Sequence, residues 1–333
     1  MFAKRISNII SIVLLCAFFT VACAKSTASA TPPTPGPGQG QHATSTPTST
    51  ASPSGAVQMT PAPSATTNAR LDSTPTHYKT RLLLVGRFRP DDLAFDPSGH
   101  LVFSDVFRGV VARLNADGSV TTLVEGLAEP EGLVYLRNGT LIIAEQQTNR
   151  ILAYSAVNSS LTVLRVLPGR PGNMTCKNGV DGIALDPTTN TLIIPDSPTG
   201  NVYRMSLDGK RLTLLATRIS RPVGATVDSQ GNIFVADECG GALWQITPAG
   251  RITRIGGFGM LDDVACDHHG NLLVTDLKAT IHALVRIRRL TGKREILANR
   301  GLIEPQGLLI DNRDNIYLSD DFANKIVEYT PVA

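Results

Sequence analysis

The chain has 333 residues, of which 42% are hydrophobic, and a formal net charge of +3. Its Lys and Arg residues are scattered, and Lys4 and Arg5 stand at the extreme N-terminus, so no basic stripe indicates nucleic-acid binding. The absence of a Cys-x-x-Cys pair argues against a cysteine-based zinc site.

Residues 1–22 are typical of a secretory signal peptide, because Lys4 and Arg5 precede an apolar run over residues 9–21. That run is too short to predict a permanent transmembrane helix. The stretch TVAC, residues 20–23, resembles the lipobox of bacterial lipoproteins. The resemblance implies lipidation of Cys23 and anchoring to the cell membrane outside the cytoplasm. The alternative is an ordinary signal, cleaved after Ala22 or Ala24, and a secreted protein.

Residues 23–77 consist largely of Ser, Thr, Pro, Ala, Gly and Gln. Such a segment cannot bury enough apolar surface to offset the entropy of ordering it. The composition therefore predicts a disordered tether. We expect one folded domain, residues 78–333, at the end of this tether.

From residue 78 onward the sequence repeats a unit of two apolar strands, joined by a turn, and two weaker strands. The second strand of each unit ends in an acid: Asp105, Glu145, Asp196, Asp237, Asp276 and Asp320. These acids lie 39 to 51 residues apart, near the period of four-stranded propeller blades. The last unit has room for three strands, and the strand at residues 79–86 would supply the fourth. The sequence therefore predicts an all-β, six-bladed propeller closed by its N-terminal strand.

The blade type is indicated by the stretches GNIFVADECGGALWQITPAG and DNIYLSDDFANKIVEYTP, which resemble NHL repeats. Over residues 78–333 the chain resembles the senescence-marker-protein/gluconolactonase-like superfamily of calcium-dependent six-bladed hydrolases. This likeness is specific for the fold rather than for the reaction.

Two sets of acids have an expected structural role. Acids at the ends of the first strands, such as Asp228, lead into turns, where they accept backbone hydrogen bonds. Acids at the ends of the second strands are expected to hold the following loops, as in NHL-like blades. Glu145 has a longer side chain than the others, and we expect that it could reach the propeller axis.

A third set lies two residues before each first strand: Asp91, Glu131, Asp181, Val223, Asp262 and Gln306. Since first strands line the axis of a propeller, these residues are expected to meet at the mouth of the central channel. Crowded carboxylates repel unless they take up protons or surround a cation. Oxygen ligands in a flexible ring suit Ca²⁺, or another hard divalent cation, and the lack of His there disfavours zinc. The alternative is that these acids cap strands and bind water without a metal.

The resemblance implies metal ligands at the mouths of blades one, three, four and five. The corresponding residues are Asp91, Asp181, Val223 and Asp262, and Val223 cannot act as a ligand. Glu131 and Gln306 are expected to compensate, so the expected metal ligands are Asp91, Glu131, Asp181 and Asp262. Such a metal would polarise a lactone or ester carbonyl. By resemblance Asp262 is the expected general base, with Asp263 as a less favoured neighbour.

Three residues are candidates for substrate contact. Asn178 lies on the insertion at residues 167–179, where it could instead shape a turn, Gln306 belongs to the ring, and His282 lies in or near a loop on the same face. His268 and His269 lie in a turn on the opposite face and are not expected to take part. Cys176 and Cys239 fall in loops of adjacent blades on the site face and are candidates for a disulfide.

The leading hypothesis is a surface-tethered, calcium-dependent lactonase or ester hydrolase that acts on a small molecule. The alternative is a non-catalytic NHL-like propeller that binds a protein, a glycan or a small ligand, and Val223 favours it. A lyase on the same scaffold is a third interpretation. We expect a monomer that meets the membrane only through its lipid anchor and binds no nucleic acid.

Overall fold

The computed structural model describes residues 77–172, 175–278 and 280–332. The expected signal peptide, the lipidation residue Cys23 and all but the last residue of the expected tether (23–77) lie outside the described residues. Within the described ranges, no helical segment has both the length and the apolar character needed to traverse a bilayer.

The described chain forms six four-stranded antiparallel sheets, the blades of a propeller. Blades 1 and 2 contain β2 (Pro90–Phe95), β3 (Leu101–Asp105), β4 (Val110–Leu114), β5 (Val120–Glu125), β6 (Pro130–Tyr135), β7 (Leu141–Glu145), β8 (Arg150–Ser155) and β9 (Ser160–Val166). Blades 3 and 4 contain β10 (Ala184–Asp186), β11 (Thr191–Asp196), β12 (Asn201–Ser206), β13 (Leu212–Ala216), β14 (Pro222–Val227), β15 (Ile233–Asp237), β16 (Ala242–Ile246) and β17 (Ile252–Gly256). Blades 5 and 6 contain β18 (Leu261–Cys266), β19 (Leu272–Asp276), β20 (Ala283–Ile287), β21 (Arg294–Ala298), β22 (Pro305–Ile310), β23 (Ile316–Asp320), β24 (Lys325–Pro331) and β1 (Tyr78–Val85).

The ring is closed by the N-terminal strand, as the sequence predicts. β1 pairs antiparallel with β24, and the sheet order of blade 6 is β1-β24-β23-β22. Leu84 of β1 belongs to the same buried apolar cluster as Leu93 of blade 1 and Ile326 of blade 6. The first and last parts of the domain therefore share one blade, and β1 covers the edge of β24 that would otherwise be unpaired.

Apolar packing between blades holds the ring together. The core divides into six buried clusters, and each one joins two neighbouring blades. Phe234 of blade 4 and Val274 of blade 5, for example, lie in one cluster with exposures of 1% and 0%. Since apolar burial is the main favourable contribution to folding, a blade gains its stability from its neighbours and the ring forms as a unit.

The acids that end the second strands hold the loops on one face of the propeller. Each of the six accepts a hydrogen bond from a backbone N–H in the loop that precedes its own blade's first strand. Asp105, for example, accepts from the N–H of Arg89 and from that of Arg108, both at 3.0 Å. This confirms the expected structural role.

Glu145 follows the same pattern, so the expectation that it reaches the axis is wrong. Its carboxylate accepts hydrogen bonds from the Ala128 N–H, the Thr148 hydroxyl and the Arg150 guanidinium. These nearby donors keep the longer side chain within blade 2.

Candidate functional site

A β-bulge at the start of the first strand directs side chains toward the axis. In blade 1, Pro90 pairs with Asp105 and Leu93 with Phe103, so Asp91 and Asp92 together oppose the single residue Ser104. The same register shift occurs in blades 2, 4, 5 and 6. Bulges re-aim side chains at the rims of sheets. The ring acids of these blades therefore face the channel mouth, although they are as buried as their strands.

The predicted site residues meet in one central cavity of about 440 Å³. The bulges supply Asp91, Glu131, Asp262 and Gln306, and loops supply Asn178, Asp181 and His282. Its lining includes the expected metal ligands, the favoured base and the substrate contacts: Asp91, Glu131, Asn178, Asp181, Asp262, His282 and Gln306. Asp263, the less favoured base, lines a different cavity. The four ring carboxylates are buried, with exposures of 7 to 8%. Val223 is fully buried, and it is not among the residues that line this cavity.

Asp91 and Glu131 form a carboxyl pair. Their side chains lie within hydrogen-bonding reach of each other, and a hydrogen bond between two carboxyl groups requires one proton between them. Burial raises the pKa of both groups well above the usual range, and the charge of Asp181 adds to this increase. The pair therefore carries a proton at a pH where exposed carboxyl groups are ionised.

Asp262 has different surroundings. With its amide nitrogen turned toward Asp262, an orientation that we assign from the partners, Gln306 donates to Oδ2 at 3.0 Å and to Oδ1 at 3.1 Å. Burial and the nearby charges of Asp181 and Asp91 raise the pKa of Asp262 well above its usual range, and the charge of Arg221 works against this. Asp262 is thus a more basic carboxylate than an exposed one.

Asp181 is held by donors of the protein itself. The Arg221 guanidinium donates to its Oδ2 at 3.0 Å and also forms an ion pair with Glu238. The Gln146 amide donates to Glu131 at 2.8 Å and to Asp181 at 3.2 Å. Burial raises the pKa of Asp181, whereas the charge of Arg221 opposes that shift.

These contacts do not fit the four-ligand metal site that the resemblance implies. Asp181 is paired with a guanidinium, and Val223 offers no ligand atom. Among residues 77–172, 175–278 and 280–332, no three or more His, Cys, Asp or Glu side chains form a group that could hold a metal ion. The oxygen-rich donor set has the right chemistry for a hard cation, but its positions do not make the expected coordination shell.

His282 lies at the cavity edge with an unusual backbone conformation, a φ of 38°. Its Nδ1 atom is buried and makes no hydrogen bond with any described atom. This nitrogen therefore has an unsatisfied hydrogen-bonding capacity at the edge of the cavity.

A second cavity of about 750 Å³ adjoins the first, and both are lined by Val106, Phe107, Gln146 and Asn178. The insertion that carries Asn178 is fixed by a disulfide between Cys176 and Cys239, whose Cα atoms lie 5.9 Å apart. Gly179 is needed beside it, because a Cβ there would overlap the carbonyl group of Gln146.

Phe107 also belongs to a stacked group at the cavity rim. The Arg89 guanidinium lies 3.4 Å from the ring centroid of Phe107 and 4.1 Å from that of Phe322. It also donates to Asp321 at 3.0 Å. Burial raises the pKa of Asp321 to about 6, and the charge of Arg89 works against this.

His268 and His269 do not approach this site. Both belong to a turn of blade 5 and lie near Asp314, which belongs to a turn of blade 6. His268 Nδ1 is 2.8 Å from the Asp314 carboxylate. The sequence correctly placed them outside the acidic ring.

Sequence reasoning missed Arg221, Gln146 and Glu238, although a signal for them exists. A second ring position lies one residue after each second-strand acid, and it contains Val106, Gln146, Ser197, Glu238, Leu277 and Asp321. All of these except Ser197 line the central cavity. Arg221 stands directly before a strand-opening proline, as Arg89 does in blade 1. Alignment of the six units at these positions would have identified them.

A scan against protein-family models found no match, and neither did a search of curated proteins. Several solved structures are similar in fold. A gluconolactonase from Xanthomonas campestris is 16% identical, with a TM-score of 0.64 over 79% of this chain and 93% of that chain. A virginiamycin B lyase from Staphylococcus aureus, solved as a catalytically inactive histidine-to-alanine variant with quinupristin, is 19% identical, with a TM-score of 0.56 over 72% and 80%.

An auxiliary nutrient binding protein from Bacteroides ovatus is 10% identical, with a TM-score of 0.61 over 78% of each chain. At such identities these likenesses show the fold alone. They confirm that this chain has the six-bladed propeller fold of gluconolactonase-like proteins, a fold shared by hydrolases, lyases and binding proteins.

Proposed function

We propose that the central cavity cleaves a small lactone or ester by general acid–base catalysis. The observation that carries this proposal is the contrast between two kinds of carboxyl group in one cavity. Asp91 and Glu131 are adjacent carboxyl groups placed to share one proton, whereas Asp262 receives amide hydrogen bonds from Gln306. Carboxyl groups in different surroundings can divide the roles of acid and base.

In this proposal Asp262 takes a proton from water as the water oxygen attacks the carbonyl carbon. The Asp91–Glu131 pair then gives its proton to the alkoxide that leaves, so the charges balance over the two steps. The raised pKa of Asp262 makes it a stronger base once it is ionised. Activity is therefore expected to rise with pH as Asp262 loses its proton and to fall again as the Asp91–Glu131 pair loses its own.

The structural neighbours support a cavity of this type, since gluconolactonase and virginiamycin B lyase activities occur on the same fold. A histidine-to-alanine substitution inactivates that lyase. His282 is the single histidine among the described residues that line the central cavity. We propose that its unpartnered Nδ1 assists proton transfer.

The Ca²⁺ ion expected from the resemblance stays a prediction and supplies no step of this proposal. If a cation binds, the ring carboxylates not paired with Arg221 are those of Asp91, Glu131 and Asp262. The membrane-anchored, extracytoplasmic location predicted from Cys23 is likewise a proposal. It would place the cavity where it meets small molecules outside the cell.

The test is hydrolysis of a panel of lactones and esters by the full chain and by Asp262→Asn. We expect the variant to lose about 100- to 10,000-fold in kcat, the usual contribution of a positioned proton-transfer group. The matched control is Asp117→Asn, an exposed acid in an outer turn of blade 1. Equal rates for wild type and Asp262→Asn would refute the assignment of the base.

The second candidate is a binding protein without catalysis. It is favoured by the ion pairs of Arg221, which satisfy Asp181 and Glu238 within the cavity, and by the fold shared with a nutrient binding protein. Thermal shift and mass spectrometry on the same panel separate the two functions. A ligand that raises Tm and is recovered unchanged supports binding, whereas conversion to an open-chain acid supports catalysis.

A further inference from the structure

Arg221 is built into the central cavity as a fixed positive charge. Its residue exposure is 5%, and it is the only Lys or Arg among the described residues that line this cavity. Its guanidinium meets the carboxylates of Asp181 and Glu238, which come from blades 3 and 4. A buried charge that is paired on two sides is a structural element of the site rather than a mobile surface group.

The main chain fixes the same residue. The Arg221 N–H donates to Asp237 at 2.9 Å, and the Arg221 carbonyl accepts from the Glu238 N–H at 3.0 Å. The acid that ends the second strand of blade 4 therefore positions the residue that carries the charge. These main-chain bonds hold the backbone of Arg221 at the cavity wall, beside both of its carboxylate partners.

The location of Arg221 coincides with a departure from the expected metal site. Val223, two residues later, is apolar and fully buried at the blade mouth where a fourth metal ligand is expected. Blade 4 has thus lost a ligand and has placed a cation beside the ligand of blade 3. The first change removes a ligand atom, and the second compensates negative charge, so both disfavour the binding of an external cation.

We infer that the Arg221 guanidinium is the permanent cation of this cavity and replaces a divalent metal ion in neutralising its carboxylates. Arg221 is a positioning residue that fixes Asp181 and Glu238. The wild-type cavity therefore has low affinity for Ca²⁺, and removal of the guanidinium would free two carboxylates to bind it. This inference concerns ion binding and does not depend on whether the cavity is catalytic.

The experiment is Ca²⁺ titration of the chelator-treated full chain by isothermal titration calorimetry at pH 7.5. The variants are Arg221→Met, which removes the charge, and Arg221→Lys, which keeps it. Arg204→Met is the matched control, because Arg204 pairs with Asp186 outside this cavity. Wild type, Arg221→Lys and Arg204→Met are expected to show no saturable binding tighter than about 1 mM, the weak end of protein calcium sites. Arg221→Met is expected to bind Ca²⁺ at least about tenfold more tightly than wild type.

Saturable binding of one Ca²⁺ per wild-type chain, with equal or weaker binding by Arg221→Met, would overturn the inference. If Arg221→Met is too unstable for calorimetry, thermal unfolding with and without Ca²⁺ decides the matter. A rise in Tm confined to the variant supports the inference, and any other pattern overturns it. Loss of lactone hydrolysis in Asp262→Asn has no bearing on this result, so the two proposals can fail separately.

Discussion

The disulfide between Cys176 and Cys239 is expected to stabilise the propeller substantially. It joins the insertion before blade 3 to a loop of blade 4 and closes a chain segment with a sequence separation of 63 residues. For a loop of this size, the chain-entropy model gives about 4 kcal/mol at 25 °C. In a domain of this size, each kcal/mol corresponds to about 2–4 °C in Tm. The double variant Cys176→Ser/Cys239→Ser should therefore unfold about 8–16 °C below wild type.

The assay is differential scanning calorimetry of the full chain under non-reducing conditions, with peptide mapping to establish the bond. Cys266→Ala is the control, because Cys266 is a free thiol and its removal leaves the disulfide intact. A decrease in Tm of less than about 2 °C in the double variant would contradict the entropic argument. Recovery of both cysteines as free thiols from native protein would contradict the bond itself.

Other changes have equally definite expectations. Gly179→Ala should cost about 1–3 kcal/mol of unfolding free energy, because its Cβ would overlap the Gln146 carbonyl; denaturant unfolding measures this. Asp237→Asn should cost about 2–3 kcal/mol of unfolding free energy. All its present partners are N–H donors, and the NH₂ group of the asparagine would face some of them without accepting a hydrogen bond. Burial raises the pKa of Asp92 to about 7, so the folded chain holds this proton more tightly than the unfolded chain. In buffer with chelator, Tm should therefore fall as pH rises from about 4 to about 7. Cys23→Ser should abolish labelling by radioactive fatty acid and release the protein from the membrane fraction.

Each of these expectations has a control or a contrary outcome. Gly172→Ala is the control for Gly179→Ala, because the nearest atom to its added Cβ is Lys177 Cβ at 3.3 Å, a tight contact but not the direct overlap found at Gly179. Asp208→Asn, in an exposed turn, should leave stability nearly unchanged where Asp237→Asn does not. A Tm that rises with pH over the same range, or one whose decline is unaffected in Asp92→Asn, would contradict the assignment to Asp92. Unchanged fatty-acid labelling of Cys23→Ser would show that the lipobox interpretation is wrong.

The repeated features of this molecule were accessible from the sequence. The acids that end the second strands recur once per blade, and the residues before the first strands recur with them, so their equivalence is visible without coordinates. That equivalence sufficed to predict six blades, closure by strand β1 and the gathering of Asp91, Glu131, Asp181 and Asp262 in one cavity. Periodicity works here because each blade repeats the same hydrogen-bonded path, and the ring converts equal positions into neighbours.

Contacts between unlike side chains were decided by the tertiary structure. The ion pair of Arg221 with Asp181 joins residues 40 apart in the chain, and its formation depends on the bulge geometry and on the angle between two blades. The preference of Glu145 for its own loop likewise depends on donors that happen to lie closer than the axis. Repetition in a sequence determines which positions face a common centre. The partner of each charge is determined by distances of a few ångströms, because electrostatic and hydrogen-bond energies change steeply over that range.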